Sequence, residues 1–201
     1  MIVDDNSPDG TADAAEAIFH GTAHGSVYRR SGPRGLGCAY RDAFARALSQ
    51  GYERIVQMDA DLSHDPIYLP ELLKASHEAG LVIGSRYVTN GGVRNWPFRR
   101  ILLSRWANIY VRLITGLPVA DATAGFRCWT SEALESVKIT EVSAEGYAFQ
   151  VTMAYRAYKA GVRIKEVPII FTDRKRGQSK MSGHVIGESV IMPWNLRFGK
   201  N

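Results

Sequence analysis

The 201-residue sequence predicts an α/β fold, a mostly parallel central sheet flanked by helices, and three observations predict it. Short apolar runs alternate with stretches of helical period in the order strand, helix, strand, helix, strand. The runs tend to end on acids or turn residues, and the clearest helical stretches end on glycine. Apolar residues make up 45% and charged residues 22%, an ordinary soluble composition that excludes a disordered, collagenous or disulfide-built chain.

Taken in order, "MIVDD" is a strand cut off by Asp4 and Asp5. Turn residues follow, then the Ala-rich helix "TADAAEAIF", with Thr11 placed to cap it. "SVYRR" is the second strand, "GLGCAYRDAFARALSQG" a helix closed by Gly51, and "RIVQMD" the third strand. "DPIYLPELLKASHEAG" carries Pro66 and Pro70 near its start and Gly80 at its end, which reads as a helix before the strand "LVIGSR". Residues 98–116 give a long amphipathic helix, "AGFRCW" a strand, "SEALESV" a short helix, "GYAFQVTMAYRAYKAG" a longer one and "RIKEVPIIF" an alternating strand. Only two residues precede "VDD", so the expectation is a single domain over residues 1–201 whose first strand is missing at the N-terminus.

Cys38 and Cys128 stand in no metal-ligand spacing and read as core thiols of a reducing compartment. Without a run of about 18 apolar residues or a signal segment, the chain is expected in the cytoplasm. A net charge of +5 is mild, but its clustering is informative. In "VRNWPFRRILLSRWANIYVRL", Arg94, Arg99, Arg100, Arg105 and Arg112 are interleaved with Trp96, Phe98, Trp106 and Tyr110, a mixture suited to lipid headgroups; the alternative is a helix buried by its apolar stripe. No nucleic-acid module is present, so no nucleic-acid partner is expected.

Ligands of an open parallel sheet sit beyond the carboxyl ends of its strands, and alternate residues point the same way. Asp59 and Asp61 of "QMDADLSHDP" therefore face one ligand, and their hard oxygens suit Mg2+ or Mn2+ with diphosphate. A solvated turn with a cap at Asp65 is the bland alternative. Haloacid-dehalogenase-like phosphatases also open with such a pair, but their later acidic cluster is not found. Asp4 and Asp5 end another strand, where carboxylates can accept from a nucleobase or ribose, or form a simple Asx turn. "RSGPRGLGCAYRDAF" reads equally as an anion site at a helix N-terminus or as close packing at Gly35 and Gly37. "TDRKRGQSKMS" gathers Arg174, Lys175, Arg176 and Lys180 around Gly177, suited to phosphate or to plain solvation.

Ten ordered motifs over essentially the whole chain, among them "VDDNSPDGT", "GLGCAY", "MDADLSHDP", "GSRYV", "GGVRNWPFRR", "DATAGFR" and "RKRGQSKMS", resemble the dolichol-phosphate or polyprenol-phosphate mannosyltransferases of glycosyltransferase family 2. The resemblance implies a GT-A fold and a metal-dependent, inverting transfer of mannose from GDP-mannose to a polyprenyl phosphate. It casts Asp59 and Asp61 as metal and diphosphate acids, and Asp4 and Asp5 as nucleoside contacts. Arg86 and Arg100 fall near the acceptor phosphate, and Arg174 and Lys180 in a basic loop over the diphosphate. It further implies a chain peripheral at the cytoplasmic face of the membrane, with a membrane-anchored partner protein as an option. Ser63 and Thr152 depart from the family pattern, where some members carry Gln and an acid. Sugar identity rests on resemblance alone, so another sugar nucleotide such as a glucose donor, or a non-catalytic nucleotide-sugar-binding module, stays open.

Overall fold

The structure is a computed structural model that describes residues 1–22, 24–173 and 183–199. In chain order its elements are β1 (Ile2–Asp4), α1 (Thr11–Phe19), β2 (Val27–Arg29), α2 (Leu36–Ser49), β3 (Arg54–Gln57), α3 (Leu69–Ala75), β4 (Leu81–Ser85) and β5 (Gly92–Arg94). Then come α4 (Phe98–Thr115), β6 (Arg127–Thr130), α5 (Ser131–Ser136), α6 (Gly146–Lys159), β7 (Ile164–Pro168), β8 (Ile170–Thr172) and α7 (Gly183–Phe198). Single 3-10 turns at Pro66–Tyr68 and Ile139–Glu141 lead into α3 and follow α5.

The central sheet has the order β3-β6-β4-β7. β4 and β7 pair in parallel, and β6 runs antiparallel between β3 and β4, so three of the four strands point one way. β1 pairs in parallel with β2, and β5 with β8. The period of two divides β4 and β6 between two cores. Leu81, Ile83 and Trp129 join Phe44, Leu134, Phe149 and Met153 from α2, α5 and α6, whereas Val82 and Cys128 join Leu72 and Ala75 of α3 with Val167. Every residue of β4 is buried, as a strand covered on both faces requires.

Several local expectations are modified. Thr11 does not cap α1: Gly10, at φ 77°, occupies the N-cap, and Asp9 accepts hydrogen bonds from the Thr11 N–H and hydroxyl. A short carboxylate two residues ahead reaches these donors better than the threonine reaches its own helix. Cys128 is buried as expected, but Cys38 is only half-buried, because the first turn of α2 turns its thiol toward the Arg41 guanidinium, 2.8 Å away. "RIKEVPIIF" is not one strand. Pro168 has no N–H to continue the ladder. At Ile169 the chain donates to the Ser85 carbonyl (3.0 Å) and accepts from the Gly92 N–H (3.0 Å), passing from β4 to β5. α7 packs on α4 and α6, a covering helix for which the sequence carries no clear period.

Candidate active site

The register places the carboxyl ends of β3, β4 and β7 and the amino end of β6 along one edge of the central sheet. The chain leaving β3 there carries Asp59 and Asp61, and the chain leaving β4 carries Arg86. They line one cavity of about 70 Å3 with His64, Arg100 and Asp173. Four of the residues picked out by sequence, Asp59, Asp61, Arg86 and Arg100, are thus brought together.

The acidic turn is tightly organised. Leu62, at φ 64°, reverses the chain, so that Asp61 Oδ1 accepts from the Ser63 N–H at 3.0 Å and from the Ser63 hydroxyl. Asp65 accepts from the Ile67 N–H and caps the 3-10 turn. His64 is buried, stacked on Phe126 and edge-on to Phe171. Its Nδ1 accepts from the Asp59 N–H at 3.0 Å, which fixes the tautomer with the proton on Nε2. Burial lowers the His64 pKa despite the charges of Asp59 and Asp61, which favours a neutral ring whose Nδ1 lone pair is already engaged. The donor set that remains, two carboxylates without a thiol, fits a small hard cation that keeps water and phosphate oxygens for its other positions. No group of three or more His, Cys, Asp or Glu placed to hold a metal ion exists among the described residues.

Behind the acids lies a layer that motif reading missed. Gln57 Nε2 donates to Gly125 O (3.1 Å) and Gln150 Oε1 (3.0 Å), and Gln57 Oε1 accepts from Trp129 Nε1 (3.0 Å). Burial pushes the Tyr40 phenol up, with the Asp59 charge adding to it. Arg127 is wholly buried and donates to the carbonyls of Ala122, Ala124 and Gln150, holding the strip that lines the cavity; burial lowers its pKa to about 10.

Arg86 is gripped from one side. Asp121, also buried, accepts from its backbone N–H (3.0 Å), Nε (2.7 Å) and Nη2 (2.6 Å), and Thr123 Oγ1 accepts from Nη2 at 2.8 Å. Burial opposes the Arg86 charge, but Asp121 outweighs it and raises the pKa. Glu166 of β7 positions Asp121 in turn, accepting from the Ala120 and Asp121 N–H groups at 2.7 and 3.0 Å. Arg100 donates to both Asp173 oxygens (3.0 and 3.1 Å) and lies over the Trp96 ring, 4.0 Å from its centroid.

The other predicted residues fall elsewhere. Asp4 accepts from the Ser7 N–H at 2.9 Å, a bond that holds its carboxyl below the usual range. Asp5 binds Arg30 and accepts from the Gly35 N–H at 2.8 Å, and Arg30 also binds Asp42. None of Asp4, Asp5 and Gly35 lines the cavity with Asp59. The N-terminal amides of α2 are taken by Glu145, which accepts from Gly37 (2.7 Å) and Cys38 (3.1 Å); a Cβ at Gly37 would come within 2.3 Å of Ala144 O. Close packing, one of the two readings of that loop, is thus present. Arg174, Lys175, Arg176 and Lys180 lie outside the described residues.

A second cavity, about 150 Å3 and walled largely by apolar side chains of α4, α6 and α7, shares Arg86, Trp96, Arg100, Thr123 and Tyr147 with the first. Around it α4 and α7 expose Phe98, Leu102, Trp106, Leu113, Ile191 and Trp194, with Arg99, Arg105 and Arg112 also exposed on α4. Tyr110 joins the helices, donating to Val190 O (2.7 Å) and accepting from Trp194 Nε1 (2.9 Å). No helix among the described residues is long and apolar enough to cross a membrane.

Comparison with known proteins gives a consistent picture. Residues 1–137 match the glycosyl transferase family 2. An undecaprenyl-phosphate mannosyltransferase of Micrococcus luteus is 44% identical over 191 residues, 95% of this chain and 79% of the relative. A polyprenol monophosphomannose synthase of Mycolicibacterium smegmatis is 45% identical over 201 residues, 98% of this chain and 76% of the relative. Among solved structures, glucosyl-3-phosphoglycerate synthase of Mycobacterium tuberculosis with Mn2+ and UDP-glucose superposes with a TM-score of 0.67 at 19% identity, covering 100% of this chain and 68% of that one. Its complex with Mg2+ and UDP gives the same TM-score at 18% identity, with the same coverage. The fold is therefore the GT-A type.

Proposed function

The chain belongs to glycosyl transferase family 2, and from that premise we propose that this glycosyltransferase moves mannose from GDP-mannose to a polyprenyl monophosphate, with inversion and with Mg2+ or Mn2+. The observation that carries the reading is the joined pair of cavities: a polar one with three acids and two arginines, sharing residues with an apolar one. That pair matches an acceptor with an anionic head and a hydrocarbon tail. Residues 1–201 belong to a single glycosyltransferase domain.

The acceptor phosphate has a second pKa near roughly 6, so its oxygen is already anionic at neutral pH and needs little help from a base. Arg86 and Arg100 hold this phosphate in line with mannose C1. The phosphate O–C1 bond forms as the C1–O bond to the diphosphate breaks, and that bond's electron pair leaves with GDP. Asp59 and Asp61 would hold the cation, which when bound neutralises the departing diphosphate. Arg174 and Lys180 are assigned to the same diphosphate, and Asp4, Asp5 and Gly35 to the nucleoside side. Asp121, Glu166 and Arg127 keep the arginine and the cavity wall in place before substrate arrives, so that little reorganisation is left for the reaction.

The exposed aromatic and arginine-bearing face of α4, widened by α7, rests on anionic lipid and brings the tail to the apolar cavity. Vesicle flotation tests this: Arg99→Glu with Arg112→Glu reduces binding, and undiminished flotation removes the membrane contact. The central experiment follows label from GDP-mannose into organic-extractable polyprenyl phosphate, with metal, with chelator, and with Asp61→Ala. Transfer that needs metal and fails in the folded variant is expected. Near-wild-type turnover by Asp61→Ala removes the metal assignment, an α-linked product removes inversion, and transfer only from another sugar nucleotide replaces the donor.

A further inference from the structure

Two buried side-chain polar atoms among the described residues have no hydrogen-bond partner, the Trp96 indole Nε1 and the Tyr87 hydroxyl. An unmade hydrogen bond on a buried group is costly, so each of these atoms calls for an explanation. Tyr87 lines neither cavity, whereas Trp96 lines both. The contrast with the other tryptophans is informative: Trp129 Nε1 donates to Gln57 and Trp194 Nε1 to Tyr110, while Trp106 is exposed.

An indole N–H is a donor only, so the missing partner is an acceptor atom. Its surroundings select the charge of that atom. The Trp96 ring has the Arg100 guanidinium 4.0 Å from its centroid and that of Arg86 at 5.5 Å, and Phe171 packs edge-on against it at 5.4 Å. Asp173 binds Arg100 but not the indole, and Asp121 engages Nε and Nη2 of Arg86 while Nη1 takes no part in that pair. A site with two cations and an unused neutral donor, placed where a polar cavity meets an apolar one, fits an oxyanion on a hydrocarbon chain.

We propose that Trp96 is a binding residue for the acceptor, its indole N–H donating to an oxygen of the lipid phosphate held between Arg86 and Arg100. This rests on the proposed role of the two arginines at the acceptor phosphate. The neutral donor adds a directed contact to two charges that attract any anion, and so helps to fix the head at the junction rather than deeper among the acids.

The test uses the full chain labelled with 15N at its four indoles. The probes are farnesyl phosphate, farnesol, inorganic phosphate and GDP with Mg2+. Farnesyl phosphate is expected to move the Trp96 indole proton downfield and leave that of Trp129 in place. Trp96→Phe is expected to weaken farnesyl phosphate about tenfold or more and to leave farnesol unchanged. Should that variant not fold, the Trp96 resonance is assigned by its nuclear Overhauser contacts to the Phe171 ring, and the wild-type shift alone decides. A Trp96 signal that stays put while wild type binds farnesyl phosphate, or a folded variant with wild-type affinity, overturns the proposal. A shift from GDP with Mg2+ and not from farnesyl phosphate gives the N–H to the donor instead, and inorganic phosphate binding as tightly as farnesyl phosphate overturns the lipid source. A wild-type chain that binds none of the phosphates overturns the acceptor reading and this inference with it.

Discussion

Replacing Asp121 by Asn removes one charge from a pair that is almost wholly out of water, with side-chain exposures of 7% for Arg86 and 0% for Asp121. The wild-type carboxylate collects the backbone N–H, Nε and Nη2 of Arg86, and the amide that replaces it turns a donor toward the same guanidinium. Breaking a buried pair from one side costs about 3–5 kcal/mol because the surviving charge stays buried. For a chain of this size each kcal/mol moves Tm by about 2–4 °C, so the variant should melt roughly 6–20 °C below wild type. The same reasoning makes a second demand. Arg86→Met with Asp121→Leu leaves no orphaned charge and should recover most of the loss. Urea and thermal unfolding of the three chains decide it. A single variant that melts with wild type, or a double variant as unstable as the single, refutes the claim that charge burial governs this site.

Three further outcomes are expected. Burial holds the His64 pKa below its ordinary 6.5, so the unfolded chain takes up that proton first as the pH falls. Its stability contribution is therefore complete above about 6.5 and lost below it; His64→Asn, whose Oδ1 can still accept from Asp59, should flatten urea midpoints between about pH 5.5 and 7.5, and an unchanged slope assigns the dependence to another group. Glu145→Ala leaves the Gly37 and Cys38 amides at the α2 N-terminus without their acceptor and should cost about 1–3 kcal/mol; an unmoved urea midpoint means water replaces the carboxylate freely. Arg127→Met strips three buried carbonyls of their donor and should lower the midpoint by a similar or larger amount, about 2–5 kcal/mol, with the cavity wall loosened as read by faster amide exchange at Ala124 and Gly125.

The elements easiest to read were those whose own residues decide them. β4 is apolar throughout, α4 keeps its amphipathic period until Gly116 at φ 71°, and Gly51 closes α2. β5 was invisible because "GVR" sits among Asn90, Gly91 and Asn95, a turn-like composition, and is a strand only because β8 lies beside it. α7 mixes Gly187 and Pro193 with an apolar surface that shows no clear stripe, so its helical state depends on α4 and α6. The acids of the site were legible at the end of a strand, and the arginines only through the resemblance of the motifs that carry them. Gln57, Asp121 and Glu166 were not, because their roles arise from contacts across 35 to 93 positions of chain, and Arg127 was not, because it ties the nearby Ala122 and Ala124 carbonyls to Gln150, 23 positions on. Trp96 was seen only as one of several aromatic residues in a basic stretch; its packing against Arg100 and Phe171 is a tertiary fact.

The strand that changes sheets at Ile169 also serves as a ruler. Glu166, on β7, holds the backbone that carries Asp121, and Asp173, just beyond β8, holds Arg100. Six residues of nearly extended chain, 167–172, separate these two anchors, a reach of roughly 23 Å at most. Because side chains alternate, one residue gained or lost between them would turn every later side chain to the opposite face. Length in this short stretch is thus constrained as well as chemistry: an insertion or deletion would misplace Asp173, the partner of Arg100, relative to the Glu166 and Asp121 that hold Arg86.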